Sequence, residues 1–190
     1  MKRKTILEEV LDRGFTRRDF LKMCTALAAT MGLDFSQTDQ VVAAMEKNQR
    51  VPVIWLQFQD CTGCSESFIR STHPKVESVL LNMISLEYSE VLSAASGHQV
   101  EAALEHVLEH YPGEYILAVE GSLPTDDAFL TVGGVSAKET FLRAAKGAKA
   151  IIAYGSCSSW GGIPAAYPNP TKAKPITHFV KDKPIILVPG

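Results

Sequence analysis

The sequence predicts an α/β domain with a flavodoxin-like, doubly wound parallel sheet, preceded by a separate N-terminal export signal. From residue 51 onward, short continuous apolar runs alternate with segments of helical spacing. The connections between these runs are long enough to cross over from one parallel strand to the next. The chain has 190 residues, 46% of them hydrophobic, and a formal charge of −2, which suits one globular domain and provides no basic surface for nucleic acid.

The first 44 residues differ from the rest, and they predict a twin-arginine signal peptide with its cleavage region. Thr16–Lys22 contains two arginines followed by Asp, Phe, Leu and Lys. Met23–Leu33 is apolar but too short to span a bilayer, and Ala43-Ala44 is a small-residue cleavage site. The alternative is an amphipathic N-terminal helix that happens to contain two arginines. We therefore expect export to the periplasm by the twin-arginine pathway, with residues 45–190 as the flavodoxin-like domain.

The first elements of that domain follow from local patterns. Val51–Phe58 is an apolar run bounded by polar residues, which indicates a buried strand. The serines at the start of Ser65–Thr72 suit a helix N-terminus, and Pro74-Lys75 opens a second helix that continues to Leu81. Ile84–Tyr88 alternates apolar with polar residues, as a half-buried or edge strand does.

The clearest helix is predicted over His98–Tyr111, where apolar residues recur at helical spacing and Pro112-Gly113 ends the pattern. Beyond it we predict a strand over Tyr115–Val119, a helix over Ser136–Lys146 capped by Gly147, and strands over Ala150–Tyr154 and Pro184–Pro189.

Three cysteines follow two of the predicted strands. Cys61 and Cys64 come after the first strand, and Cys157 comes after Ala150–Tyr154. Because the carboxyl ends of parallel strands share one edge of a sheet, we expect the three sulfurs to meet there. Cys24 lies in the predicted leader, and the odd number of remaining thiols argues against a disulfide framework. Spacing alone leaves an iron–sulfur cluster, a zinc site and a redox dithiol open.

Several residues near the three cysteines in the sequence suit an iron–sulfur cluster. Gly63, Gly155, Gly161 and Gly162 would let backbone approach sulfur closely, and a helix start at Ser65 would direct N–H groups towards an anion. The candidate neighbours of the cluster are Thr62, Gly63, Glu66, Glu120 and Trp160. We interpret Glu66 and Glu120 as proton-relay carboxylates or partners for backbone N–H groups, and Trp160 as packing that screens the site.

Two other interpretations use residues of the same chain. Thr62, Gly63, Ser65 and Ser67 could hold the phosphate of a flavin, as the first strand–helix turn of flavodoxin-like domains does, although a phosphate site has no use for thiols. His106–His110 matches the inverted zinc-protease pattern His-x-x-Glu-His. For that segment we favour a charged outer helix surface, since short motifs often match by chance.

Six segments, which together extend along nearly the whole chain, carry a family resemblance: Thr16–Lys22, Cys61–Ser67, Ile84–Tyr88, Glu120–Pro124, Gly155–Gly162 and Val188–Gly190. Together they make the chain similar to the small subunit of periplasmic nickel–iron hydrogenases. The resemblance implies reversible oxidation of H2 at a nickel–iron centre in a separate large subunit, with this chain as the electron-transfer subunit. A cytochrome or a membrane quinone-linked subunit is implied as the downstream acceptor.

The same resemblance implies that Cys61, Cys64 and Cys157 bind a proximal 4Fe-4S cluster, with the fourth ligand beyond Gly190. It implies further 3Fe-4S and 4Fe-4S clusters in a C-terminal part that this sequence lacks, so the chain is expected to be an N-terminal piece.

Three positions refine the resemblance. Gly63 and Gly162 stand where oxygen-tolerant relatives carry extra cysteines, which implies the oxygen-sensitive type. Asp60 stands where many members have Glu. The related subunit of complex I has adjacent cysteines, unlike Cys61 and Cys64.

Overall fold

The computed structural model describes residues 5–30, 34, 36, 38–46 and 50–189. The chain divides into two compact units, one of residues 1–50 with 72–85 and one of residues 51–71 with 86–190. Each unit contains its own cluster of buried apolar side chains.

The described α-helices, in chain order, are α1 (Ile6–Asp12), α2 (Arg17–Thr30), α3 (Thr38–Glu46), α4 (Gly63–Ile69), α5 (Val76–Ser78), α6 (His98–His110), α7 (Ala137–Gly147), α8 (Ser156–Trp160) and α9 (Gly162–Ala165). The described strands are β1 (Val51–Gln57), β2 (Ile84–Ser89), β3 (Ile116–Glu120), β4 (Thr131–Val132), β5 (Val135–Ser136), β6 (Ala150–Tyr154) and β7 (Ile185–Val188). Short 3-10 turns at Asp127–Phe129 and Ile176–His178 and a π-helical turn at Val79–Met83 complete them.

The first unit contains the predicted export signal. The start of α2 has the reciprocal bonds of a capping box: the Asp19 amide donates to Thr16 Oγ1 at 3.2 Å, and the Thr16 amide donates to the Asp19 carboxylate at 3.1 Å. The buried side chains of this unit are Phe20, Cys24, Ala28 and Val41. Helix α2 covers most of the predicted apolar stretch, whose residues 31–33 lie outside the described residues. The signal peptide itself stays a prediction.

Ala43-Ala44, the predicted cleavage site, lies within α3. In the described ranges, no helix combines the length and the apolar character needed to cross a membrane. The helix predicted to continue to Leu81 begins as α5 and changes at Val79 to a π-helical turn.

The five-stranded sheet confirms the predicted fold class. Its strand order is β2-β1-β3-β6-β7, which is the flavodoxin-like order 2-1-3-4-5 once the small β4–β5 sheet is set aside. The pairs β1–β3, β3–β6 and β6–β7 are parallel. The two-residue strands β4 and β5 form an antiparallel hairpin that has no counterpart among the predicted elements, because strands this short show no periodicity.

The core of the second unit lies between the sheet and helices α6 and α7. Ile54, Leu117 and Ile151 of the sheet and Leu104 of α6 are at most 2% exposed. Phe141 of α7 is fully buried, and its ring lies edge-on to two others, with centroids 6.1 Å from Phe58 and 6.5 Å from Phe179. These contacts pack α7 against Phe58, which directly follows β1, and against Phe179.

We expect Phe141→Ala to lower the free energy of unfolding by about 3–5 kcal/mol, because it removes a buried ring and leaves a cavity. Leu142→Ala is the matched control, since Leu142 is the next residue of the same helix and is 41% exposed. Denaturant unfolding measures both changes, and equal losses for the two variants would contradict this account of the core.

Candidate metal centre

The three cysteines lie where strands of the parallel sheet end. Cys61 precedes α4 in the loop after β1, Cys64 is in the first turn of α4, and Cys157 is in the first turn of α8, directly after β6. Strands β1 and β6 flank β3 in the sheet. Cys61 is exposed, whereas Cys64 and Cys157 are partly buried. The three cysteines therefore lie at one carboxyl edge of the sheet, as the sequence predicts. Their role as metal ligands stays a prediction.

Each of the three sulfurs lies against a glycine. A Cβ at Gly63 would stand 3.1 Å from Cys61 Sγ, and one at Gly162 would stand 2.5 Å from Cys157 Sγ. A Cβ at Gly155, the residue directly after β6, would overlap Cys64 Sγ. Side chains at these glycines would therefore displace the sulfurs. The contact between Gly155 and Cys64 also joins the two cysteine-bearing loops directly.

The thiols also influence one another electrostatically. Burial raises the pKa of Cys64 to about 11, and the negative charges of Glu120, Cys61 and Cys157 add to that rise. Burial likewise raises the pKa of Cys157, whereas the backbone N–H of Ile163 donates a hydrogen bond to this thiol and lowers it. The three sulfurs thus form one interacting group, and a backbone donor already serves one of them.

A buried carboxylate holds the Cys61–Cys64 loop in place. Glu120, at the end of β3, is 1% exposed. Its Oε1 accepts from the Cys64 amide at 3.0 Å, and its Oε2 accepts from the Ser65 amide at 3.1 Å and from Ser65 Oγ at 2.6 Å. Gln57 Nε2 donates in turn to Ser65 Oγ at 2.9 Å. A charged acceptor with three donors is a strong anchor between strand and loop.

This anchor corrects the expectation for the start of α4. The sequence predicts a helix start at Ser65, with free N–H groups directed towards an anion. The helix begins at Gly63, its preceding residue Thr62 has a left-handed φ of 61° and provides no side-chain cap, and the distant Glu120 satisfies the amides of Cys64 and Ser65. A long-range cap of this kind leaves no local signal in the sequence.

Asp60 shapes the turn that precedes α4. Its Oδ1 accepts from the Thr62 amide at 2.6 Å and lies 3.4 Å from the Thr62 hydroxyl. Its Oδ2 is buried and has no hydrogen-bond partner among the described residues. Burial raises the pKa of the Asp60 carboxyl, and the charge of Glu120 raises it further.

The other candidate neighbours are less involved. Glu66 pairs with Arg70, the residue directly after α4, and both side chains are more than half exposed. Of the two candidate glutamates, Glu120 and not Glu66 is therefore the one that contacts the cysteine loop. Trp160 is 63% exposed, and within this chain it screens little of the site. The roles of Gln57 and of the Ile163 amide are not predictable from the sequence, because no motif marks them. The contact of Gly155 with Cys64 does have a sequence signal, which is a glycine directly after a strand.

The donor set fits an iron–sulfur cluster better than the two alternatives. In the described part of the chain, no group of three or more Cys, His, Asp or Glu side chains is close enough to hold a single metal ion. Three thiols with backbone close to each sulfur suit a cluster, in which each thiolate binds its own iron. A flavin phosphate would find the first amides of α4 already bound to Glu120, and the buried carboxylate would repel it.

Comparisons with known proteins agree with these features. The profile of the family described as "NADH ubiquinone oxidoreductase, 20 Kd subunit" matches residues 61–190. The uptake hydrogenase small subunit of Azotobacter vinelandii is 52% identical over 189 residues, which cover 98% of this chain and 53% of that protein. The hydrogenase-2 small chain of Escherichia coli (strain K12) is 50% identical over 179 residues, covering 93% and 48%. The chain thus spans about half the length of the curated relatives it matches.

Among solved structures, the reduced, active form of the Ni-Fe-Se hydrogenase from Desulfomicrobium baculatum is similar, with a TM-score of 0.73 and 35% sequence identity. The match covers 75% of this chain and 56% of that one. None of these similarities supports the flavin-binding alternative.

We expect Glu120→Gln to lower the free energy of unfolding by about 2–3 kcal/mol, because an amide in place of the carboxylate loses charge-assisted bonds and turns a donor towards other donors. Glu66→Gln on the exposed side of α4 is the control, with a change within about 0.5 kcal/mol. Chemical denaturation of the chain without bound metal measures both, and a stability unchanged by Glu120→Gln would rule out the anchor.

We expect the thiols of the metal-free chain to react with iodoacetamide in a set order at pH 8. Cys61 is exposed and reacts first, whereas Cys64 reacts at least about tenfold more slowly because burial raises its pKa to about 11 and leaves little thiolate. Timed alkylation followed by peptide mass spectrometry measures the rates. Equal rates at the two positions would contradict the described burial.

Proposed function

This chain belongs to the family described as "NADH ubiquinone oxidoreductase, 20 Kd subunit", and we propose that it is the electron-transfer small subunit of a nickel–iron hydrogenase. In that role it carries electrons from H2 oxidation, while the nickel–iron centre resides in a large-subunit partner. The observation that carries the proposal is the set of three glycine-backed sulfurs at one edge of the sheet. The identity of about half with hydrogenase small subunits, over nearly the whole chain, supports it.

Cys61, Cys64 and Cys157 are the proposed thiolate ligands of a proximal 4Fe-4S cluster, which when bound supplies a one-electron carrier. In a protein as long as the relatives, the fourth ligand follows Gly190, a residue outside the described ones. The hydrogen bond from the Gly155 amide to the Val188 carbonyl at 2.7 Å supports this position, because it brings the end of β7 beside the glycine that contacts Cys64. Further 3Fe-4S and 4Fe-4S clusters belong to the remainder of such a protein.

The residues around the sulfurs set the electrostatics of this site. The Ile163 amide donates to the Cys157 sulfur, and such donors favour the added negative charge of a reduced site. The buried Glu120 carboxylate has the opposite effect, since a nearby negative charge disfavours reduction. The backbone donor and the buried charge therefore act in opposite directions on the reduction potential of the site.

The surface that follows Cys157 supports a protein partner. Trp160, Ile163 and Tyr167 are large apolar residues that are 63%, 87% and 99% exposed. Exposed apolar side chains grouped in this way mark interaction surfaces. We assign this segment to contact with the large subunit, and a cytochrome or a membrane quinone-linked subunit is the proposed downstream acceptor.

The N-terminal segment is the proposed twin-arginine signal, which would direct the protein to the periplasm. Arg17-Arg18 and the residues up to Lys22 support it, because this pattern is the address of the pathway that exports folded proteins. Folded export suits a site that must receive its cofactor before it meets an oxidising compartment.

We expect Cys157→Ser, introduced into the full-length protein produced with its large subunit, to lower H2-dependent dye reduction more than tenfold. The change removes one thiolate ligand, so iron and acid-labile sulfide in the purified complex should fall as well. Ser156→Ala, at the exposed residue just before Cys157, is the control and should leave both unchanged. Normal activity and iron content in Cys157→Ser would exclude the proposed ligand set, and bound flavin in both variants would favour the alternative.

A further inference from the structure

Two histidines lie side by side on the exposed face of α6, far along the chain from the cysteines. His106 and His110 are one helical turn apart and both are exposed. Their rings are stacked, with centroids 4.3 Å apart and 28° between the ring planes. Two imidazoles at positions i and i+4 of a helix can reach the same ion, as they do in helical zinc sites.

A hydrogen bond determines which nitrogen of His110 is free. Its Nδ1 lies 2.9 Å from the His106 carbonyl oxygen. Because a carbonyl oxygen can only accept, Nδ1 must carry the proton and donate it. The lone pair of the neutral ring is then on Nε2, the nitrogen that remains available to a metal ion. Histidines that bind metals have this arrangement as a rule, with the second ring nitrogen donating to a carbonyl or a carboxylate.

The charge of the helix also favours a cation. Helix α6 contains Glu101, Glu105 and Glu109 but no lysine or arginine. The one arginine that pairs with this face among the described contacts is Arg143, whose Nη2 donates to Glu105 Oε1 at 2.7 Å. Glu109 stands between the two histidines in sequence, and its charge, like that of Glu105, acts on Arg143.

We propose that His106 and His110 form a surface site for a divalent transition-metal ion that prefers imidazole, such as Zn²⁺, with water completing the coordination. Such a site needs no third protein ligand, in keeping with the absence of any three-residue metal group from the described ranges. It also gives the His-x-x-Glu-His segment a role that requires no protease chemistry. Water at the remaining coordination positions makes the ion exchangeable. Because the ion links two side chains one turn apart, its binding stabilises the last turn of α6.

The site makes no use of the cysteines, so its test is independent of the proposed electron-transfer role. The full chain is titrated with Zn²⁺ alone, and the ring nitrogens of its histidines are followed by long-range ¹H–¹⁵N NMR. These signals report binding at each ring even when thiols also take up metal. We expect the Nε2 signals of His106 and His110 to shift together, with one affinity for both rings.

Removing either ring provides the decisive comparison. We expect His106→Gln to weaken Zn²⁺ binding at His110 at least tenfold, and His110→Gln to do the same at His106, because chelation by the pair is lost. His98→Gln, at the first residue of the same helix, is the matched control and should leave the affinity unchanged. The proposal is overturned if the two rings titrate independently, or if each keeps its affinity when the other is replaced. Circular dichroism of the variants shows that α6 is still folded.

Discussion

The buried Glu120 carboxylate is the interaction on which the candidate site depends. It ends the central strand β3 and accepts hydrogen bonds from the amides of Cys64 and Ser65 on the helix that follows the neighbouring strand. Burial of a carboxylate away from solvent costs free energy unless its oxygens accept hydrogen bonds. The donors of the cysteine loop satisfy them, so the loop and the strand fix each other. Gln57 Nε2 of β1 supports the same loop through Ser65 Oγ, so the loop with two of the three sulfurs is tied to two adjacent strands.

The glycines extend the same principle to the third sulfur. Gly155 lies against the Cys64 side chain, so the two cysteine-bearing loops approach where one of them contributes backbone alone. Gly162 lies against the Cys157 side chain of its own loop. Both glycines have positive φ angles, of 87° and 55°, which other residues adopt only with strain. An iron–sulfur site benefits when backbone lies close to its sulfurs. Hydrogen bonds from backbone amides and the exclusion of solvent both adjust the reduction potential of the cluster. The geometry therefore serves a cluster more directly than it serves a single ion or a phosphate.

Most strands and the positions of the cysteines could be predicted because their signals are local. The segments that form β1, β3, β6 and β7 are continuous apolar runs bounded by polar, Gly or Pro residues. The predicted ends of these four strands lie within one or two residues of the observed ends. The missed features are long-range or very short. The cap of α4 comes from Glu120, 56 residues from Cys64, and the β4–β5 hairpin has only two residues in each strand. The different environments of Glu66 and Glu120 also depend on tertiary packing, which residue type does not reveal.

The sequence separation of these partners has a consequence for biosynthesis. The ribosome releases the N-terminal arginines first, then Cys61 and Cys64, and much later the glycine at the end of β6 against which Cys64 rests. Contacts between distant segments cannot form until the later segment has emerged. The proposed targeting segment therefore emerges well before Cys64 and Gly155 can meet. Under the proposed export role, recognition of that segment has to wait until β6 has formed, because a chain exported earlier would leave with its sulfurs uncovered.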